Sequence, residues 1–303
     1  DRLETFNEEK LRNRLAKIGN SLVVVQDEDI VKVHVHTLTP GEALNIAQRY
    51  GEFIKLKIEN MQEQHTALVE EKAKAEAAKV EKKPEQEYAI ITVAAGEGLK
   101  EIFKEYRCDV VISGGQTMNP STEDFVEAIN SLNAKHIIIL PNNSNIIMAA
   151  KQAAIVLEDQ DIHVLETKSI NQGLSACLMF NPEADIEANI EDMNNGISSV
   201  KSGQVTYAIK DTSYEGLEIK EGDFMGIFEK AIVTNGKDKL EVVYHLLDKM
   251  IDEDSEIVTL IYGEGETKES CEPIVSYIEE KYDLEVDLQH GDQPVYNYFI
   301  GVE

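Results

Sequence analysis

Asp109–Val126 reads DVVISGGQTMNPSTEDFV. Val110, Val111 and Ile112 are β-branched throughout and too few for a helix, the mark of a strand buried on both faces. Gly114 and Gly115 break the run. Pro120 with Ser121 or Thr122 then opens a helix, and Glu123 and Asp124 lie in its first turn, where the dipole favours acids. Strand, glycine loop and helix start predict a polar pocket at the carboxyl end of a sheet, where open α/β sheets bind ligands. No Lys follows the glycines, so the loop is not a Walker loop. A plain strand-to-helix turn is the competing reading.

The flanks repeat the pattern. Upstream, Tyr88 to Ala94 reads as a strand and Gly96-Glu97-Gly98 as a turn, and Leu99, Ile102, Phe103 and Tyr106 mark a helix face. Downstream, the strand His136 to Pro141 runs into Asn142-Asn143-Ser144-Asn145 and a helix, and the strand Ile162 to Thr167 into a polar loop at 169–173. Strand and helix alternating through short loops predict an α/β fold with a parallel sheet. A first lobe spans 88–182 and a second 183–303. In the second, helices at 184–198, 237–251 and 271–282 are interspersed with strands at 203–210, 257–262 and 297–302. The polar loops converge at one sheet edge. Gly114, Gly115, Gln116, Thr117, Asn119, Ser121, Asn142, Asn143 and Ser144 offer donors but no basic side chain. That set suits a carboxylate or amide better than a polyphosphate. Helix capping is the alternative task for the same residues.

Residues 1–63 read as a small α+β unit. Asn7 caps a helix with Leu11, Leu15 and Ile18 on one face. Strands at 21–26 and 30–37 form a hairpin. Thr39-Pro40 opens a second helix, and Phe53 to Ile58 alternates like a strand. Residues 64–87 are a charged linker, partly helical, whose Glu70 to Lys79 has helix formers but no apolar stripe. It is expected to act as a hinge, cut first by proteases near Lys79 to Lys83. Within the unit, His34-Val35-His36 places two imidazoles on one strand face, roughly 7 Å apart. They could converge on Zn²⁺ given a third ligand, which no nearby residue supplies. Surface or core histidines remain the other reading. His65, His136, His163, His245 and His290 show no companions in sequence, so no Ser/His/Asp triad is indicated.

The chain has 303 residues and a net charge of −28, of which −3 falls on residues 1–87 and −25 on 88–303. Such acidity repels nucleic acid and anionic membrane and suits a partner with a basic face, with plain solubility as the competing reading. No run approaches the roughly 20 apolar residues of a membrane helix, and no signal peptide is visible. Cys108, Cys177 and Cys271 form no CxxC, as expected of a reduced, cytoplasmic protein. The start at Asp1 is expected to mark a piece of a longer protein.

Several long motifs stand in one order: IGNSLVVV at 18–25, VKVHVHT at 31–37 with Pro40-Gly41, SGGQTMNPST at 113–122, LPNNSNI at 140–146 and HGDQPVY at 290–296. Together they resemble the kinase subunit of bacterial fatty acid kinase, a relative of dihydroxyacetone kinase, over nearly the whole chain. The resemblance implies an amino-terminal domain holding ATP and Mg²⁺, absent from this sequence, so no catalytic residue is expected here and no ATP turnover. It implies that residues 1–63 belong to a middle domain that joins two kinase chains into a homodimer. That domain would bind zinc through His34 and His36 with a cysteine upstream of Asp1. It implies a two-lobed DegV-like α/β domain that docks a separate fatty-acid-binding subunit, with acyl phosphate made for phospholipid synthesis. In the DegV-like loop Gly114 and Gly115 stand where the family has bulkier residues, while Gln116, Thr117 and Ser121 keep its polar character. A stand-alone DegV-like fatty-acid-binding protein is the alternative. A metal-dependent hydrolase built on His34 and His36 lacks a suitably spaced carboxylate.

Overall fold

The computed structural model describes residues 6–27, 30–54, 56, 58, 85–115, 119–214 and 216–303. The chain divides into two compact units, Asp1–Val80 and Glu81–Glu303.

In the first unit α1 (Glu8–Leu15) starts at Asn7, whose Oδ1 accepts the Lys10 N–H at 2.8 Å. The four-residue spacing of Leu11 and Leu15 puts both on one face. They bury with Val24 and Ala43. β1 (Gly19–Asp27) and β2 (Ile30–Thr37) pair antiparallel, with Val23 opposite His34 and Val24 opposite Val33. α2 (Pro40–Ala47) opens on Pro40. Thr39, expected as its cap, makes no side-chain bond to a helix N–H; its hydroxyl instead meets Glu42 Oε2 at 3.4 Å. The expected strand at 53–58 is absent among the described residues. Phe53, Ile54, Leu56 and Ile58 lie outside any strand and are exposed. Alternation makes a strand only where an edge is free to pair with it. The expected linker lies outside the described residues through Pro84, and its last two residues, Gln86 and Glu87, begin a strand.

The second unit opens with β3 (Gln86–Ala94), α3 (Glu97–Glu105), β4 (Val110–Ser113), α4 (Thr122–Asn130), β5 (Ala134–Leu140), α5 (Ile147–Val156) and β6 (Asp161–Val164). The four strands pair in parallel in the order β4-β3-β5-β6. Ala89 to Ala94 and Ile137 to Leu140 are buried throughout, as central parallel strands require. β4 is different. Its residues are half-buried and Ser113 is exposed, because β4 is the edge strand, not a doubly covered one. Ser121 and Asp124 form the capping box that starts α4. α6 (Ile170–Met179) and α7 (Ile186–Ser199) follow. Leu174, Cys177, Ile186 and Met193 join Ile90, Phe103 and Ile138 in one core, so the helix beyond residue 183 packs with the first lobe.

The remaining chain gives β7 (Lys201–Tyr207), β8 (Thr212–Tyr214), β9 (Leu217–Ile219), β10 (Phe224–Phe228), β11 (Ala231–Gly236), α8 (Lys239–Met250), β12 (Ile257–Tyr262), α9 (Lys268–Tyr282), β13 (Glu285–His290) and β14 (Tyr296–Val302). β8 and β9 pair separately. The others form one sheet in the order β11-β10-β7-β14-β12-β13, antiparallel except for β12 with β13. Val242, Leu246, Ile274 and Ile278 of the two helices bury against Val258, Tyr298 and Ile300. Ile261 and Phe299 reach across into the first core. The unit is therefore α/β with one wholly parallel sheet and one mixed sheet. Among the described residues no helix is long and apolar enough to cross a membrane.

Candidate functional site

The carboxyl ends of β3, β4 and β5 bring Ala95, Gly114, Gly115 and Pro141 to Asn143 to one edge. Gln204 of β7 and the turn Gln293 to Tyr296 face them from the second sheet, and a cleft of about 50 Å³ lies between. Four residues expected there line it: Gly114, Gly115, Asn142 and Asn143. Asn119 and Ser144 are exposed and do not line it. Ser121 is engaged in its cap, accepting the Asp124 N–H at 3.3 Å. Gln116 and Thr117 lie outside the described residues.

Asn142 ties the edge together. Its backbone has φ 59°, the left-handed region that Asn tolerates better than most residues. Its Nδ2 donates to Thr92 Oγ1 at 2.8 Å and to the Val93 carbonyl at 3.0 Å, and its own N–H donates to Thr167 Oγ1 at 2.9 Å. A side chain at Gly173 of α6 could not coexist with it: a Cβ there would lie 2.2 Å from Asn142 Oδ1. The Asn142 amide donor expected to greet a ligand is thus consumed by the fold. What remains is the opposite: Asn142 Oδ1 and Gln293 Oε1 are buried acceptors with no donor. Gln293 donates only from Nε2, to the Ile261 carbonyl at 3.2 Å. Asn142 therefore turns an acceptor, not a donor, toward the cleft.

The facing turn is strained. Val295 has φ 73°, and the Tyr296 N–H closes on the Pro294 carbonyl at 2.8 Å, a γ-turn of the rare hand. The Val295 carbonyl accepts the Thr206 hydroxyl at 2.8 Å, which pins the turn to β7. A β-branched residue in this region costs about 1–3 kcal/mol and persists only where surrounding structure holds it. Burial also pushes the Tyr296 phenol up. This wall of the cleft was absent from the sequence-derived site. HGDQPVY stood out as a motif, but nothing local says that a turn before the last strand will face loops nearly two hundred residues upstream.

On β2, Val35 packs toward the core while His34 is exposed, as strand alternation requires. Imidazole suits zinc in donor type, but a stable site needs more ligands than two. The His36 side chain lies outside the described residues. The other histidines are not all without company, as their sequence positions imply. His290 stacks on Tyr262 with ring centroids 4.8 Å apart, and His136 and His163 both reach Asp161. β5 and β6 bring those three together across a helix.

Comparison with known proteins follows the same division. Residues 1–68 match the FakA-like middle-domain model of fatty acid kinase, and residues 89–303 match the FakA-like C-terminal model. Protein YloV of Bacillus subtilis (strain 168) is 49% identical over 300 residues, covering 98% of this chain and 54% of the relative. The chain thus spans about half the length of the curated relatives it matches. In structure it is similar to a DegV family protein of Ruminococcus gnavus solved with vaccenic acid. The TM-score is 0.54 at 13% identity, over 72% of this chain and 99% of that one. It is also similar to the dihydroxyacetone kinase of C. freundii in complex with AMP-PNP and Mg²⁺. There the TM-score is 0.52 at 10% identity, over 100% of this chain and 57% of that one.

Proposed function

The chain belongs to the FakA-like family of fatty acid kinase proteins, and from that membership we propose that it is the middle and carboxyl-terminal region of an ATP-dependent kinase subunit. The intact protein phosphorylates the carboxylate of a fatty acid held by a separate fatty-acid-binding subunit. The acyl phosphate feeds phospholipid synthesis in the cytoplasm. ATP and Mg²⁺ sit on a domain amino-terminal to this sequence. The first unit joins two kinase chains into a homodimer and binds Zn²⁺ at His34 and His36 with ligands from outside this sequence. The second unit docks the lipid-carrying partner, with neither nucleic acid nor membrane insertion involved.

One observation carries the choice of docking over lipid carriage. The fold is that of DegV proteins solved with fatty acids, but the cleft that the described residues form at the carboxyl edge of the parallel sheet holds about 50 Å³, against roughly 300–1,000 Å³ for pockets that enclose ligands of drug size. The net −25 of residues 88–303 also favours a basic docking face over a nucleotide. Phosphoryl transfer needs amides or Lys around the phosphates and carboxylates on Mg²⁺. Gly114-Gly115 is followed by Gln116, not Lys.

The test supplies the purified chain with ATP–Mg²⁺, the fatty-acid-loaded partner and a coupled kinase assay, with binding followed by calorimetry. The expected result is partner binding without turnover. Acyl phosphate above the no-protein blank, or micromolar ATP binding, would overturn the assignment. Mass spectrometry of the chain as purified, before and after delipidation, decides the alternative. Stoichiometric bound fatty acid would make this a lipid carrier.

A further inference from the structure

Parallel pairing of β5 with β6 sets His136 directly beside Asp161, and the two-residue period of β6 puts His163 on the same face. Asp161 spans both imidazoles. Its Oδ2 lies 2.5 Å from His136 Nδ1, and its Oδ1 lies 2.9 Å from His163 Nε2. The second contact is out of line for a hydrogen bond: His163 Nε2 is closed off from solvent and has no hydrogen-bond partner. A buried nitrogen without a partner is unfavourable, unless something else takes up its lone pair.

One ligand atom from each residue lies within 4.8 Å of the others. The surroundings support the same chemistry. The His136 ring stacks on Tyr88 at 5.3 Å, and the Tyr88 hydroxyl is itself fixed by donating to the Ala184 carbonyl at 2.6 Å. The far nitrogen, Nε2, faces Glu87 Oε1 at 4.0 Å. Carboxylates in that outer position commonly orient metal-bound imidazoles. Residues 88–303, net −25, add a field that favours cations.

We propose that His136, Asp161 and His163 bind a divalent transition-metal ion of the zinc type where β6 starts beside β5. Two imidazoles and one carboxylate suit zinc and its neighbours rather than Mg²⁺ or Ca²⁺, which prefer oxygen throughout. Three protein ligands leave a position for water or for a group from another molecule. The site lies at the opposite end of the strands from the cleft. It clamps β6, a four-residue edge strand, to the sheet. The side chains are a quarter to a half exposed, so an ion can enter without unfolding the sheet.

The experiment uses the full chain carrying His34→Ala and His36→Ala, which silences the other imidazole pair. Zn²⁺ is titrated against a chromogenic chelator and melting is followed with and without Zn²⁺. One equivalent of zinc and a zinc-dependent rise in Tm are expected. Adding His163→Gln or Asp161→Asn should weaken binding by roughly tenfold or more and abolish the rise, with circular dichroism unchanged. Unchanged zinc affinity in both added variants would overturn the proposal, as would failure of the background chain to bind one equivalent.

Discussion

Gly98 of α3 lies against the carbonyl of His290: a Cβ at Gly98 would stand 2.2 Å from that oxygen. The next residue, Leu99, donates its N–H to the Gly291 carbonyl at 2.8 Å. The first turn of a helix in one lobe is thus satisfied by a loop of the other. Gly98→Ala gains up to about 1 kcal/mol of helix propensity, but the obstacle is backbone and cannot rotate aside. A net loss of about 1–3 kcal/mol is expected, read as a lower urea midpoint at unchanged slope. An unchanged midpoint would mean that the 290–292 loop moves without resistance.

Asn142 tests backbone against side chain. Asn142→Gly keeps the left-handed φ but loses both amide donations, and should cost about 1–3 kcal/mol. Asn142→Ala adds the strain of an ordinary residue there, about 1–2 kcal/mol more. Denaturant titration of the pair gives the order. Ala at or above Gly in stability would assign no weight to φ.

Val295 runs the other way. It is 42% exposed at φ 73°, so Val295→Gly removes little packing and relieves about 1–3 kcal/mol of strain. Greater freedom in the unfolded chain takes back about 0.4–1 kcal/mol. The variant is expected to be about 1 kcal/mol more stable than the parent. A lower thermal midpoint would show that the turn is relaxed in its γ geometry.

Glu266 predicts an acid limb. The side chain is 4% exposed and contacts Lys239; Tyr298 and Asn297 donate to its two oxygens at 2.8 Å each. Burial pushes its carboxyl up, but these contacts prevail and hold it below the ordinary value. A depressed folded value means that the stabilisation is present above the unfolded value, about 4.3, and is lost as pH falls through the folded one. Unfolding free energy should therefore drop on acidification from about pH 5 downward. Glu266→Gln should be less stable at pH 7 and show a shallower drop. Parallel curves would assign the acid limb to other carboxylates.

Much of this fold is visible in local sequence. The apolar runs Ile90 to Ala94 and Ile137 to Leu140 announce central strands, and the Ser121-to-Asp124 spacing announces the start of α4. Sheet order is not local, so Val110 to Ile112 has a central composition at an edge. β10 and β11 hide in a glycine-rich stretch because Gly226 interrupts the alternation. Thr234 of the neighbouring strand fills its place, 2.6 Å from where a Cβ would be. For the cleft, Gly114, Gly115, Asn142 and Asn143 follow from strand ends, while Gln293 to Tyr296 come from a distant turn. Asp161 and His163 share the spacing of His34 and His36. Their third member, His136, is 25 residues before Asp161 on another strand, where only the sheet register connects them.

β14 occupies an interior place in the six-stranded sheet, bonded to β7 on one side and β12 on the other. During synthesis, β7, β10 and β11 on one flank and β12 and β13 on the other emerge first and cannot meet. The ribosome must release the chain as far as Val302 before the gap closes. Until then both flanks display unpaired backbone and the apolar faces of Val205 and Leu260. Loss of β14 would remove the keystone of this sheet rather than trim an edge. The nascent protein is exposed to chaperones and proteases until β14 has emerged and paired.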